Sequence, residues 1–104
     1  MNTRDIYTLL RNAGIPVAHN VFLKKQVPPY ILYRNDGTDI IVANSRAVLK
    51  KQRIAVELYS KPEGLRQAEA AVENVLDNFT TYSKERSFDD EQQIYVTYYK
   101  FYIF

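Results

Sequence analysis

Two short runs rich in β-branched and aromatic residues, residues 30–34 and 39–43, flank the tetrapeptide Asn35-Asp36-Gly37-Thr38. The Asp-Gly pair supplies the positive φ angles that tight hairpin turns need. The pattern therefore predicts a β-hairpin whose turn lies at Asp36 and Gly37. Strands joined by so short a turn must pair antiparallel.

Further strands are predicted on both sides of this hairpin. Residues 15–29 predict a long connection with a short extended piece at residues 21–23. Residues 48–59 alternate between apolar and polar positions near their end, which is typical of a half-buried strand. Residues 80–88 are polar and β-prone, Asp89-Asp90 predicts a turn, and residues 93–104 predict a last strand.

Two segments carry apolar residues at helical spacing. The first has Ile6, Leu9, Leu10 and Ala13 on one face, with Asn2 or Thr3 placed to cap its start, and it ends at Gly14. The second covers residues 65–79 and follows Ser60-Lys61-Pro62-Glu63, which matches a capping box with proline in the first turn. We expect two amphipathic helices.

These elements predict one α+β domain over residues 1–104, because a chain of this length can surround only a single core. The predicted order is helix, hairpin, strand, helix, hairpin. The sheet is expected to be antiparallel or mixed, with both amphipathic helices packed on one face. A composition of 46% hydrophobic and 25% charged residues is typical of globular domains and argues against a disordered chain.

The sequence supplies few groups for catalysis, and we predict that the chain is not an enzyme. It has no cysteine, so a catalytic triad would have to be built on His19, the single histidine. Asp89, Asp90 and Glu91 are adjacent and lack the ligand spacing of a calcium loop, so a solvated hairpin tip is the better interpretation. The three glycines are too far apart for a phosphate-binding loop. We expect no cofactor and no metal.

Localisation follows from hydropathy. No apolar run approaches the ~20 residues that cross a bilayer. The first residues also lack the apolar region of a signal peptide. We expect no membrane partner, and a cytoplasmic protein unless an assembly carries it elsewhere.

A cluster of four positive charges falls within eight residues, at Arg46, Lys50, Lys51 and Arg53. Such a cluster can follow a phosphate backbone, with nearby tyrosines for stacking. Lysines that keep a sheet edge soluble and block edge pairing are the simpler explanation. The formal net charge of +2 does not by itself indicate nucleic-acid binding.

The last strand carries aromatic residues on both faces. One face has Ile94, Val96, Tyr98, Tyr102 and Phe104, and the other has Tyr95, Tyr99, Phe101 and Ile103. Only one face can meet the helices of the same domain, so the other is either an interface or is covered by the loop at Pro28-Pro29. The subunit-interface candidates are Tyr95, Tyr99, Phe101 and Tyr102.

A set of segments spread over most of the chain resembles a known family. The segments are Ile15-Pro16-Val17-Ala18, Pro28-Pro29-Tyr30-Ile31-Leu32-Tyr33, Ile54-Ala55-Val56-Glu57-Leu58-Tyr59, the helix with Glu69 and Glu73, and Tyr95-Val96-Thr97-Tyr98. They resemble the small tail-terminator, or tail-completion, proteins of long-tailed bacteriophages and prophages. These are packing motifs and carry no catalytic signature.

The resemblance implies a structural role in virion assembly. Members of that family form a hexameric ring on the head-proximal end of the tail tube, stop its polymerisation and join it to the head connector. The implied partners are further copies of the chain, the tail tube protein and the head connector or completion protein, with DNA only passing through the channel. The implied location is the host cytoplasm during assembly and then the tail of the virion.

Under this interpretation Arg46, Lys50, Lys51 and Arg53 would contact acidic groups of a neighbour or face the channel. Two alternatives stay open. One is another connector component, such as a head-completion ring protein. The other, from a different class, is a small nucleic-acid-binding module.

Overall fold

The structure is a computed structural model that describes residues 3–104, apart from the side chains of Thr3, Ala43, Ala47 and Val48. Its elements in chain order are α1 (Thr3–Arg11), β1 (Val17–His19), β2 (Tyr30–Ala43), β3 (Arg46–Ser60), a 3₁₀ turn (Pro62–Gly64), α2 (Leu65–Asp77), β4 (Ser83–Asp89) and β5 (Ile94–Ile103). The prediction of an α+β fold with a sheet and two helices is confirmed.

The strands form one mixed five-stranded sheet in the order β1-β2-β3-β5-β4. The short strand β1 pairs parallel with β2, and the other neighbours pair antiparallel. β3 therefore lies at the centre of the sheet, with β2 on one side and β5 on the other. The short extended piece was expected at residues 21–23, but it lies earlier, at Val17–His19.

One apolar core joins the helices to the sheet. Ile6 and Leu10 come from α1, and Val72 and Leu76 come from α2; all four side chains are fully buried. They pack against alternate residues of three strands, namely Ile31, Tyr33, Ile54, Val56, Leu58, Tyr99, Phe101 and Ile103. This alternation is what a sheet shows when one of its faces is covered by other elements.

The predicted hairpin turn at Asp36-Gly37 is wrong. β2 continues through it, because Asp36 is an extra residue in the ladder and the register shifts between Asn35 and Gly37. Gly37 has φ 133°, and its N–H donates to the side-chain oxygen of Asn35 at 2.9 Å. The Asp-Gly pair thus makes a bulge, which also uses a glycine of positive φ.

The turn lies instead at Asn44-Ser45, between the paired residues Ala43 and Arg46. Both central residues have positive φ, 52° and 61°, as a two-residue type I′ turn requires. The segments predicted as a hairpin and a separate strand are consequently the two arms of one long hairpin. The predicted second hairpin exists as β4 and β5.

The start of α2 differs from the predicted cap. Ser60 ends β3, the 3₁₀ turn comes between it and α2, and no side-chain cap bond forms at Gly64. The predicted capping box is therefore wrong. At α1, Thr3 already belongs to the helix, and Asn2 lies outside the described residues.

Helix α2 is held to β4 and β5 by a buried carboxylate. Glu69 accepts two hydrogen bonds from the Arg86 guanidinium, at 2.9 and 2.5 Å, and one from the Thr97 hydroxyl at 2.7 Å. Lys84 Nζ lies 3.3 Å from the same carboxylate. Burial alone would raise the pKa of Glu69, but the bonds from Arg86, Thr97 and Lys84 outweigh burial and lower it to about 2.

A second carboxylate on α2 extends this contact by one helical turn. Glu73 accepts hydrogen bonds from Lys84 Nζ and from the hydroxyl of the buried Tyr99, both at 2.8 Å. Burial, and then the bond to Glu73, raise the pKa of Tyr99, so the phenol stays a donor. The polar contacts therefore fix the register of α2 on the sheet.

We expect Glu69→Gln to lower the free energy of unfolding near neutral pH by about 2 kcal/mol, because an ionised, multiply bonded carboxylate is lost while Arg86 stays half-exposed and partly screened. The folded pKa lies below the ordinary 4.5, so this stability is complete above that value and is lost as pH falls towards about 2. Denaturant unfolding at several pH values should show wild type and variant converging in acid. Glu85→Gln, an exposed carboxylate on β4, is the matched control and should change little.

We expect Ser45→Gly to stabilise the hairpin end by about 1 kcal/mol, because glycine removes the cost of a side chain at positive φ. Amide hydrogen exchange of residues 38–51 should become slower. Unchanged or faster exchange would contradict the placement of the turn at Asn44-Ser45.

Candidate functional site

The long hairpin extends beyond the rest of the sheet. β5 pairs with β3 only up to the contact of Ile103 with Gln52, and β1 covers β2 only at residues 31–33. Residues 38–51, here called the arm, therefore pair only within the hairpin of β2 and β3 among residues 3–104. The molecule measures 52 Å along its longest axis against 27 and 26 Å across. About six residues per strand give the arm a length of roughly 20 Å.

The arm carries aliphatic side chains that are only partly covered. Their exposed fractions are 54% for Ile40, 45% for Ile41, 60% for Val42 and 39% for Leu49. Ile41 and Leu49 are cross-strand neighbours on one face, whereas Ile40 pairs with Lys50 on the other. A two-stranded ribbon is marginally stable in water, so an apolar ribbon of this kind is typical of a contact surface.

The four predicted charge-contact residues all lie on β3, in the arm or at its base, but they do not share one face. Lys50 and Lys51 are consecutive and point to opposite sides of the ribbon. Lys51 Nζ lies 4.3 Å from the ring centroid of Tyr102, and Arg53 Nε lies 3.8 Å from an Asp39 carboxylate oxygen. Arg46 flanks the turn and is exposed. The cluster is thus distributed around a projecting ribbon, which does not form a continuous phosphate-binding strip.

The predicted aromatic interface on β5 needs correction. Tyr99 and Phe101 are 0% and 3% exposed and belong to the core, so they cannot contact a neighbouring subunit. Tyr95 is half-buried, and its ring packs on Phe88 with 4.7 Å between centroids. Tyr102 is 42% exposed, so of the four candidates it is the one most open to a partner.

The other face of the sheet carries its own aromatic cluster. Tyr30 and Tyr59 are cross-strand neighbours whose rings stack at 4.7 Å, and Phe22 of the loop before β2 packs edge-on against Tyr30 at 5.6 Å. Tyr59 donates to Glu57 at 2.7 Å, and Glu57 also pairs with Arg34. Phe22 of the loop before β2 therefore contacts one end of this face.

The candidate catalytic and metal-binding residues do not converge. His19 lies on the edge strand β1, where its ring stacks on Tyr33 with 5.0 Å between centroids. The Asp89 carboxylate accepts hydrogen bonds from the N–H groups of Glu91 and Gln92, at 3.0 and 3.2 Å, and so shapes its own turn. Across residues 3–104, no three histidine, aspartate or glutamate side chains are grouped as metal ligands would be.

Neither helix of the described chain has both the length and the apolar character to cross a bilayer. Comparison of the chain with protein-family models, with curated proteins and with solved structures finds no match. The arm is therefore the feature of the molecule on which a functional interpretation rests.

The sequence pattern indicates the hairpin of residues 30–43 as a source of apolar contact in a ring, but it does not single out Ile40, Ile41 and Val42. A turn predicted at Gly37 instead of Ser45 places these residues in a short hairpin strand. One signal was available. Three consecutive aliphatic residues do not alternate, which a strand covered on a single face should do.

The burial of Tyr99 and the exposure of Tyr102 can be tested directly. Tyr99→Ser should lower the free energy of unfolding by about 3 to 5 kcal/mol, because it leaves a cavity in the core and a carboxylate without its donor. Tyr102→Ser should cost less than about 1 kcal/mol, since only an exposed ring and its contact with Lys51 are lost. Denaturant unfolding of the two variants measures the difference, and similar losses for both would contradict the burial described above.

Proposed function

We propose that this protein is a structural subunit of a phage or prophage tail, a tail terminator that forms a ring on the head-proximal end of the tail tube and joins it to the head connector. The observation that carries the proposal is the arm, a projecting ribbon whose aliphatic side chains are half exposed. The sequence resemblance to tail-terminator proteins supplies the particular role. We take both helices to cover the sheet face that carries Val56 and Tyr99.

An arm of this kind suits a ring. Closed rings other than dimers need a heterologous interface, in which one patch of a subunit meets a different patch of the next. Arm-to-arm pairing is disfavoured, because each arm carries Arg46, Lys50 and Lys51 against the single carboxylate of Asp39. The arm therefore fits a second surface of unlike charge.

The apolar surface that one arm can bury indicates where subunits are expected to assemble. Burying four aliphatic side chains that are about half exposed is worth about 1 kcal/mol each, or roughly 4 kcal/mol. Association of two proteins costs at least about that much. One arm contact is therefore too weak for a stable dimer, and subunits are expected to close into a ring where the end of a tube raises their effective concentration.

The two alternative functions, a head-completion ring protein and a nucleic-acid-binding module, would both use the arm. A head-completion ring protein would need the same arm contacts, so the stage of assembly that fails separates it from a terminator. Nucleic-acid binding finds less support, because the cations are divided between the two faces of the arm and Arg53 is paired with Asp39.

Electron microscopy of particles assembled with and without this protein tests the proposal. With it, tails should have one length and be joined to heads. Without it, we expect tails of irregular length that remain unjoined, because nothing stops polymerisation at the tube end. Normal joined tails in its absence would refute the proposal, and leaky heads with normal free tails would identify a head-completion protein instead.

A paired variant links this phenotype to the arm. Ile41→Thr with Leu49→Thr removes apolar surface but keeps residues with good strand propensity. It should leave the unfolding transition almost unchanged and reproduce the tail defect. Gln67→Thr, an exposed change on α2, is the control and should assemble normally.

A further inference from the structure

The surface that receives the arm is also indicated by the structure. We infer that the arm of one subunit packs on the Phe88–Tyr95 pair and the adjoining β4–β5 turn of the next copy of the chain. This inference rests on the proposed function, since it assumes that the chain assembles with itself. It goes further by naming the two patches that meet.

The first argument is position. Phe88 and Tyr95 are cross-strand neighbours at the start of β5, whereas Ile103 at its end pairs with Gln52 at the base of the arm. The ten residues of β5 separate the two patches by roughly 30 Å along the sheet. Patches at opposite ends of a subunit cannot meet within one molecule, but they can form a head-to-tail contact between molecules.

The second argument is the apolar surface at this end. Phe88 is 38% exposed on the edge strand β4, and its ring lies against the half-buried Tyr95. Together they form an aromatic pair on one face of the sheet, and Phe88 leaves part of it open to solvent. The aliphatic side chains of an arm, such as Ile41 and Leu49, would cover it.

The third argument is charge. The turn next to the aromatic pair carries Asp90 and Glu91, which are both exposed. They are opposite in sign to Arg46, which is exposed on the arm and lies on the same face as Ile41, because it pairs with Ala43. Complementary charges beside an apolar centre are how interfaces select their register and partner.

The same argument excludes the other apolar surface at that end. The loop before β2 exposes Val21, Leu23 and Val27 at 66%, 101% and 71%. It also carries Lys24 and Lys25, so an arm placed there would bring like charges together. This loop is the wrong surface for the arm, although its apolar residues are free for a different contact.

Because the natural chain has no cysteine, the contact can be tested by site-directed cross-linking. Ile41→Cys and Glu91→Cys, combined in one chain, should be joined by a short bismaleimide into a ladder of dimers, trimers and larger species. A mixture of the two single variants should give mainly dimers. If the ladder ends at a largest species of defined size, the assembly is a closed ring. If the ladder continues without limit, the assembly is an open filament.

Each outcome is decisive. Efficient cross-linking of Ile41→Cys with itself would mean that arms pair with arms, and would overturn the inference. Oligomers seen by light scattering or on tube ends without any link between residues 41 and 91 would also overturn it, while leaving the proposed function intact. Absence of oligomers both in concentrated solution and on tube ends would refute the proposed function and this inference together.

A charge exchange distinguishes a specific contact from nonspecific association. Glu91→Lys should slow the cross-linking of Ile41→Cys to Gln92→Cys by at least about tenfold, and Arg46→Glu in the same chain should restore most of the rate. Glu85→Lys is the matched control, because it makes the same change of charge on β4 outside the turn. Equal effects of Glu85→Lys and Glu91→Lys would contradict the inference.

Discussion

The structure depends on the unequal pairing of its central strand. β3 is hydrogen-bonded to β2 along both of their lengths, but to β5 only from Gln52 to Ser60. Where all three strands are present, helices and sheet enclose a dry core. Where β5 is missing, the same two strands continue as a ribbon whose aliphatic side chains are only partly covered. One difference in strand length thus separates the enclosed part of the sheet from a partly exposed ribbon.

The enclosed half is fixed by polar contacts as well as by packing. An apolar helix stripe can slide on an apolar sheet at little cost, but Glu69 and Glu73 each need specific donors from β4 and β5. Buried carboxylates without those donors would be strongly unfavourable, so only one placement of α2 satisfies them. The rigid half can therefore hold the arm in one direction, which a contact with a second subunit requires.

The sequence predicted those parts of the fold that depend on local periodicity. Leu65 to Leu76 repeat at helical spacing, and residues around Val56 and Tyr99 alternate as strands do, so both helices and most strands were found. The turn was misplaced because Asp36-Gly37 and Asn44-Ser45 both accept positive φ, and local sequence does not say which becomes a bulge. Alternation on β5 likewise defines two faces without saying which one the helices cover. Alternation alone therefore leaves Tyr99 as a contact candidate. The run Ile40-Ile41-Val42 indicates a strand that is not covered on a single face, but the position at which β5 ends, which leaves Ile41 exposed, is not a local property of the sequence.

The continuity of β3 has a mechanical consequence. A pull on the tip of the arm runs along the strand axis into the middle of the sheet, where nine residue pairs join β3 to β5. The hydrogen bonds between β3 and β5 lie perpendicular to this load, so they must all break together. If a strand were peeled from the edge of a sheet, its hydrogen bonds would break one after another. A force applied to the arm would therefore be carried by all nine β3–β5 pairs together.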